Sequence, residues 1–184
     1  MRWIIFLILS CLALLLQTTL VPVVTVSLFG LRVGPELLAV FAVFVALHVR
    51  ECADAMIAGW ILGLAVDLTS AGGAATAMVL GPMSIAYALA AGGVFHSREL
   101  FFRERRMTQF ILALAFCLFS HWLWVTLQSL RSGGISWSAY GQLLIHVLLV
   151  SLYTAAVTPL AHIGLARLQR WFITAPTTRR KYRR

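Results

Sequence analysis

Long runs of apolar residues, separated by short polar segments, dominate the chain. A helix needs about 20 apolar residues to cross ~30 Å of hydrocarbon at a rise of ~1.5 Å per residue. The stretches that meet or approach this length predict six transmembrane helices, at residues 3–21, 35–49, 53–68, 76–95, 110–130 and 139–166. The second and third stretches are short for simple spans, so five spans are the main alternative.

Prolines mark particular points in this pattern. In "RVGPE", Pro35 and Glu36 suit the first turn of the second helix, where proline loses no hydrogen bond and a carboxylate meets the positive helix end. Pro82 and Pro159 lie inside the fourth and sixth predicted spans. Because proline removes a backbone donor, we expect both to kink their helices.

Composition agrees with a membrane protein. Hydrophobic residues make up 61% of the 184 residues, charged residues only 11%, and the mean hydropathy is +0.91. These values are typical of integral membrane proteins, and no polar segment is long enough for a separate soluble domain. We therefore expect one all-α transmembrane domain over residues 1–173 and a basic cytoplasmic tail over residues 174–184.

The first apolar run and the spacing of the cysteines argue against a signal peptide, disulfides and a zinc site. The run continues past Cys11 without a clean small-residue cleavage site, which favours a retained first span over a signal peptide. The three cysteines lie far apart and lack CxxC spacing, which argues against disulfides and a zinc site. We expect neither cofactor nor metal.

Basic residues predict the orientation. If six spans start from a cytoplasmic N-terminus, thirteen of the fifteen Lys and Arg residues lie on the cytoplasmic side, and only Arg32 and Arg131 lie outside. This distribution follows the positive-inside rule and favours six spans over five, because both large basic groups then share one side. The chain is thus expected to be a multi-pass protein with both termini in the cytoplasm.

Many of these basic residues are candidate membrane-surface anchors. Attraction to anionic lipid is worth ~1 kcal/mol for each basic residue near the surface, and an acidic partner surface is the alternative. A basic tail that follows a membrane span does not favour nucleic acid binding. The predicted anchors are Arg103, Arg105, Arg106, Arg167, Arg170, Arg179, Arg180, Lys181, Arg183 and Arg184.

Few polar residues are expected at membrane depth, and they argue against catalysis. His121 and His146 fall at similar depth if the last two spans form a hairpin, which admits a metal or a proton relay. The alternative is a neutral histidine bonded to a hydroxyl or a backbone carbonyl. Asp67 is the sole aspartate expected inside a span, so an aspartyl dyad is excluded, and GxSxG and phosphate-binding loops are absent. We expect no enzyme activity.

The stretch "GWILGLAVDLTSAGG" places Gly59, Gly63 and Asp67 four residues apart, on one face of the third helix. Small residues on such a face let a neighbouring backbone approach closely, so the face predicts helix packing or a partner interface. Asp67 ends this face near the outer boundary. It could accept hydrogen bonds from the turn at residues 69–73 or from the first N–H groups of the fourth span, or it could contact a partner.

Three stretches carry a family resemblance. "LLLQTTLVP", "LFGLRVGPELLAVFAVFVAL" and "GWILGLAVDLTSAGG", followed by an apolar fourth span, resemble the rod shape-determining protein MreD family. The order of spans agrees over most of the chain, but the motifs lie in its first half and the last two spans match by hydropathy alone. The long arginine-rich tail departs from the family pattern.

The resemblance implies a non-catalytic scaffold of the cell-elongation machinery in the bacterial inner membrane. Proteins of this family bind MreC and act with MreB and with the elongation peptidoglycan synthase, a SEDS glycosyltransferase and its penicillin-binding transpeptidase. Their six-helix fold is similar to the substrate-binding subunit of energy-coupling-factor vitamin transporters.

That similarity supplies the alternative function, a vitamin-binding transport subunit. Such a subunit needs an outward-facing pocket with convergent polar or aromatic groups. The candidates on the outer side are Arg32, Glu36, Asp67, Gln128, Arg131, Trp137, Tyr140 and Gln142.

Overall fold

A computed structural model describes residues 2–28, 30–70, 81–98, 106–131 and 137–172, without the side chains of residues 70, 128, 131, 137–139 and 168–172. Each predicted span corresponds to one helix. The elements in chain order are α1 (Trp3–Val24), β1 (Val26–Leu28), β2 (Leu31–Val33), α2 (Leu37–His48), α3 (Cys52–Ser70), α4 (Pro82–Ser97), α5 (Arg106–Arg131) and α6 (Trp137–Phe172).

The short helix α2 forms the centre of the bundle. All ten residues from position 38 to position 47 are buried, so the helix has no face toward the surroundings. A helix that is apolar on every side lies either in a protein core or in lipid, and neighbouring helices cover this one. The five other helices all pack against α2, and the described structure is therefore a bundle around one central helix.

Aromatic contacts join the central helix to its neighbours. The ring of Phe41 in α2 stacks on Phe6 of α1 at a centroid distance of 5.8 Å. Farther along α2, Phe44 meets the edge of His162 in α6 at 5.1 Å. Such pairs add to the dispersion energy of the core.

Four of the five helices around α2 have the dimensions of membrane spans, whereas α4 has only 16 residues. Among the described residues, α1, α3, α5 and α6 are each long and apolar enough to cross a bilayer. Their outward faces carry exposed large apolar side chains, such as Ile4, Met107 and Leu160. Water would disfavour so much exposed apolar surface, whereas lipid accepts it. The helix α2 has only 12 residues, or about 18 Å, and does not reach across the hydrocarbon by itself.

A small β-hairpin between α1 and α2 was not predicted. The strands β1 and β2 pair antiparallel with Leu28 opposite Leu31, and Gly30 has a φ of +78°, which favours glycine in this turn. Threonine, valine and glycine in "TVSLFGLRVG" were the available signal. We call the end of the bundle that carries this pair of strands the hairpin end.

Two expectations about proline were wrong. Pro82 is the first residue of α4 and follows Gly81, whose φ of +124° is not helical, so Pro82 starts a helix instead of kinking one. Pro35 and Glu36 precede α2, which begins at Leu37. Proline at a helix start loses no hydrogen bond, which explains the position of Pro82. Pro159 does lie inside α6.

Candidate functional site

The glycine face of α3 packs against α4 of the same chain. A Cβ atom built on Gly59 would lie 2.7 Å from the carbonyl oxygen of Tyr87, and one on Gly63 would lie 2.6 Å from that of Met83. Real Cβ atoms do not approach backbone atoms so closely, so both positions require glycine. Because α4 covers this face, Gly59 and Gly63 are not available to a partner.

Asp67 joins the end of α3 to the beginning of α4. Its Oδ2 atom accepts hydrogen bonds from the backbone N–H of Gly81 at 2.9 Å, the backbone N–H of Ser84 at 3.2 Å and the hydroxyl of Ser84 at 3.1 Å. The first N–H groups of a helix lack partners within it and carry partial positive charge. Asp67 therefore supplies the N-terminal cap of α4 from a neighbouring helix.

Side chains from two other helices accept hydrogen bonds from backbone N–H groups at the beginning of α2. The backbone N–H of Glu36 donates to the hydroxyl of Thr154 in α6 at 3.0 Å, and that of Leu37 donates to Oε1 of Gln17 in α1 at 2.6 Å. Buried N–H groups without partners are costly, so these two side chains hold the central helix in place. Sequence reasoning did not identify Gln17 or Thr154. The only signal was that each is polar within an apolar run.

The side chain of Glu36 faces α5 and makes no capping bond to α2. Its Oε2 atom lies 3.5 Å from Nε2 of His121, and the whole residue is only 8% exposed. The fully buried hydroxyl of Tyr87 faces the same carboxyl group without reaching hydrogen-bond geometry. From the sequence, Glu36 was expected at the start of the second helix and His121 at membrane depth in the fifth span. The fold brings these two side chains together.

A cavity of about 1170 Å³ lies at the hairpin end between α1, the hairpin and the helices α3 to α6. Its polar lining comes from several elements, and Trp124 and aliphatic side chains complete the wall. The polar and charged residues of the lining are Gln17, Thr25, Ser27, Arg32, Glu36, Asp67, His121 and His146.

This cavity gathers some of the predicted outer-side residues and not others. It includes Arg32, Glu36 and Asp67, whereas Tyr140 and Gln142 are described but do not line it. The side chains of Gln128, Arg131 and Trp137 lie outside the described residues.

Both histidines of the lining contact backbone carbonyls. Nδ1 of His121 lies 2.8 Å from the carbonyl oxygen of Cys117, and Nε2 of His146 lies 3.1 Å from that of Arg32. The described part of the chain holds no cluster of three histidine, cysteine or acidic side chains that could bind a metal. These contacts agree with the alternative in which each histidine is hydrogen-bonded to a backbone carbonyl.

Apart from Arg32 in the hairpin, the basic side chains that the structure describes lie toward the opposite end of the bundle. The side chain of Arg98 follows α4, covers the ring of Phe95 at 3.6 Å and donates to the carbonyl of Val49 after α2. Arg106 and Arg167 are exposed. The remaining predicted anchors have side chains outside the described residues, namely Arg103, Arg105, Arg170, Arg179, Arg180, Lys181, Arg183 and Arg184.

Comparison of the chain with family models, curated proteins and solved structures found no match.

Proposed function

We propose that this chain is a non-catalytic membrane scaffold of the bacterial cell-elongation complex, which binds MreC and helps organise peptidoglycan synthesis for cell shape. Its other partners would be MreB, the SEDS glycosyltransferase and its penicillin-binding transpeptidase. The proposal starts from the resemblance of three sequence stretches to the MreD family.

The observation that supports it best is the contact between α3 and α4. The motif "GWILGLAVDLTSAGG" contributes glycines that admit α4 and an aspartate that caps it. Its described residues thus do structural work, as a scaffold requires. In particular, Oδ2 of Asp67 is occupied by three donors and is not poised as a base or nucleophile.

We further propose that the chain lies in the bacterial inner membrane with the hairpin end outside and both termini in the cytoplasm. Arg50, Arg98 and Arg106 flank helix ends away from the hairpin, and Arg32 lies in the hairpin itself. Positive residues favour the cytoplasmic side, which supports this orientation. Anionic lipids would then meet the basic end.

Co-purification from native bacterial membranes tests the scaffold. A tagged chain, extracted under mild conditions and analysed by mass spectrometry, should retain MreC and the two synthase components above the level of an unrelated tagged multi-span protein. Recovery of a transporter ATPase module without MreC would overturn the proposal.

One observation favours a second function, a substrate-binding membrane subunit of a vitamin transporter. The cavity at the hairpin end is large enough for a small molecule and has the mixed polar and apolar lining of such a site. The same co-purification separates the two functions, because the transport subunit would retain its ATPase module.

A further inference from the structure

Two hydrogen-bond acceptors face each other at the wall of the cavity. Nδ1 of His121 lies 2.8 Å from the carbonyl oxygen of Cys117. A carbonyl only accepts, so Nδ1 must carry the proton. In the neutral ring, Nε2 is then a hydrogen-bond acceptor. It lies 3.5 Å from Oε2 of Glu36, and an ionised carboxylate has no proton to donate either. A proton on Nε2 would join the two groups as an ion pair, whereas the neutral ring leaves both as acceptors that an added donor can satisfy.

The carboxylate oxygen has no hydrogen bond within the described chain. Oε2 of Glu36 is buried and accepts from none of the described residues, although the residue lines the cavity and is 8% exposed. A buried carboxylate needs donors or positive charge to offset the loss of hydration. Because Glu36 lines the cavity, its carboxylate lies where a molecule held there can bring a positively charged donor.

Little of Glu36 is in contact with the surroundings, because only 8% of the residue is exposed. The helix α2 ends at His48, next to the exposed Arg50, and measures about 18 Å, which is shorter than the ~30 Å of hydrocarbon. If Arg50 lies at one membrane surface, Glu36 lies below the other. Charge attraction is stronger there than at a surface in contact with water.

The rest of the lining suits an amphiphilic molecule. Aliphatic side chains from α1 and α6, including Val21, Val147 and Val150, line the cavity together with Trp124. Arg32 carries an exposed positive charge in the hairpin, which repels an ammonium placed beside it but suits the phosphate of an aminophospholipid. The described residues provide no cluster of three metal-binding side chains, so the proposal concerns an organic cation.

We propose that the cavity at the hairpin end binds an amphiphilic molecule through its primary ammonium group, which donates to the carboxylate of Glu36 and to Nε2 of His121. The ammonium supplies several N–H donors and a positive charge, and the apolar part contacts the aliphatic wall. This site goes beyond the scaffold function and does not depend on it. The molecule could be an aminophospholipid or a free organic amine, which share this chemistry.

The experiment uses the full chain in nanodiscs of phosphatidylcholine and phosphatidylglycerol, neither of which carries a primary ammonium. Thermal unfolding is followed while 2-phenylethylamine or its neutral analogue 2-phenylethanol is added. In a second arm, phosphatidylethanolamine replaces part of the phosphatidylcholine. We expect the amine or phosphatidylethanolamine to raise Tm by several degrees, and the alcohol to leave it unchanged. A rise with the soluble amine alone identifies a free amine, and a rise with phosphatidylethanolamine identifies the lipid.

Variants locate the site. Glu36→Gln removes the charge and should weaken the stabilising ligand about tenfold, as expected for a hydrogen bond to a charged group. Glu51→Gln is the matched control, because Glu51 is exposed at the opposite end and should bind as the wild type does. His121→Phe removes the second acceptor. It replaces Glu36→Gln as the test variant if Glu36→Gln does not fold. The proposal is wrong if amine and alcohol act equally, if neither amine nor lipid stabilises the wild type, or if the folded variant retains full affinity.

Discussion

Gly63 of α3 lies directly against Ser84 of α4, because a Cβ atom built on Gly63 would lie 2.7 Å from the Cα atom of Ser84. One methyl group at this point would meet backbone rather than a movable side chain. The close approach of the two helices therefore depends on glycine at position 63.

Gly63→Ala should destabilise the protein by about 1–3 kcal/mol, since the added methyl group forces α4 away from α3. Reversible unfolding in detergent micelles measures the change. Gly93→Ala is the matched control on α4, because no described atom lies within 4 Å of a Cβ built there. That variant should gain roughly 0.5–1 kcal/mol, because alanine favours the helix over glycine. Equal effects of the two substitutions would contradict the close contact.

Asp67→Ala should lower the unfolding free energy by about 1–3 kcal/mol, because it leaves the N–H groups of Gly81 and Ser84 without their acceptor. Asp67→Asn keeps one carbonyl oxygen and should lose less than Asp67→Ala. Thermal unfolding of both purified variants checks the order. Loss of rod shape in cells that carry a stable, abundant Asp67→Asn protein would instead show that the carboxylate has a functional contact.

Thr154→Val should also destabilise the bundle, by about 1–3 kcal/mol, because the buried N–H of Glu36 loses the hydroxyl that accepts its hydrogen bond. Thr158→Val is a suitable comparison one turn later. Thr158 is equally buried, but its hydroxyl donates to the carbonyl of Thr154 within α6. Loss of the Thr158 hydroxyl leaves no backbone N–H group at the start of a helix without an acceptor. Thr158→Val should therefore lower the unfolding free energy less than Thr154→Val. Similar unfolding free energies for the two variants would argue against the capping role of Thr154.

Single cysteines should report the orientation in the membrane. With Cys11, Cys52 and Cys117 replaced by serine or alanine, a cysteine at Ser27 in the hairpin should react with a membrane-impermeant maleimide added to intact spheroplasts. A cysteine at Glu51 should react only after the membrane is opened. Both positions are exposed, so burial does not explain a difference. The reverse pattern would place the hairpin end in the cytoplasm.

Local pattern was enough to predict several parts of the fold. Hydropathy located six helices, and the four-residue spacing of Gly59, Gly63 and Asp67 identified a face that admits a close neighbour. The first N–H groups of the fourth span were among the expected partners of Asp67, and Gly81 and Ser84 at the beginning of α4 supply them. These features depend on residues near one another in the chain, which is why the sequence reveals them.

Hydropathy predicted the membrane class and the order of helices, but it did not distinguish a central helix from a lipid-facing one. Lipid and protein interiors are both apolar, so α2 and α1 have similar composition although one is buried and the other faces outward. Only the tertiary structure showed that α4 covers the glycine face and that Thr154 meets Glu36, 118 residues away. It also brought Glu36 to His121. Contacts of this range depend on how the helices pack, which the periodicity of a single helix does not encode.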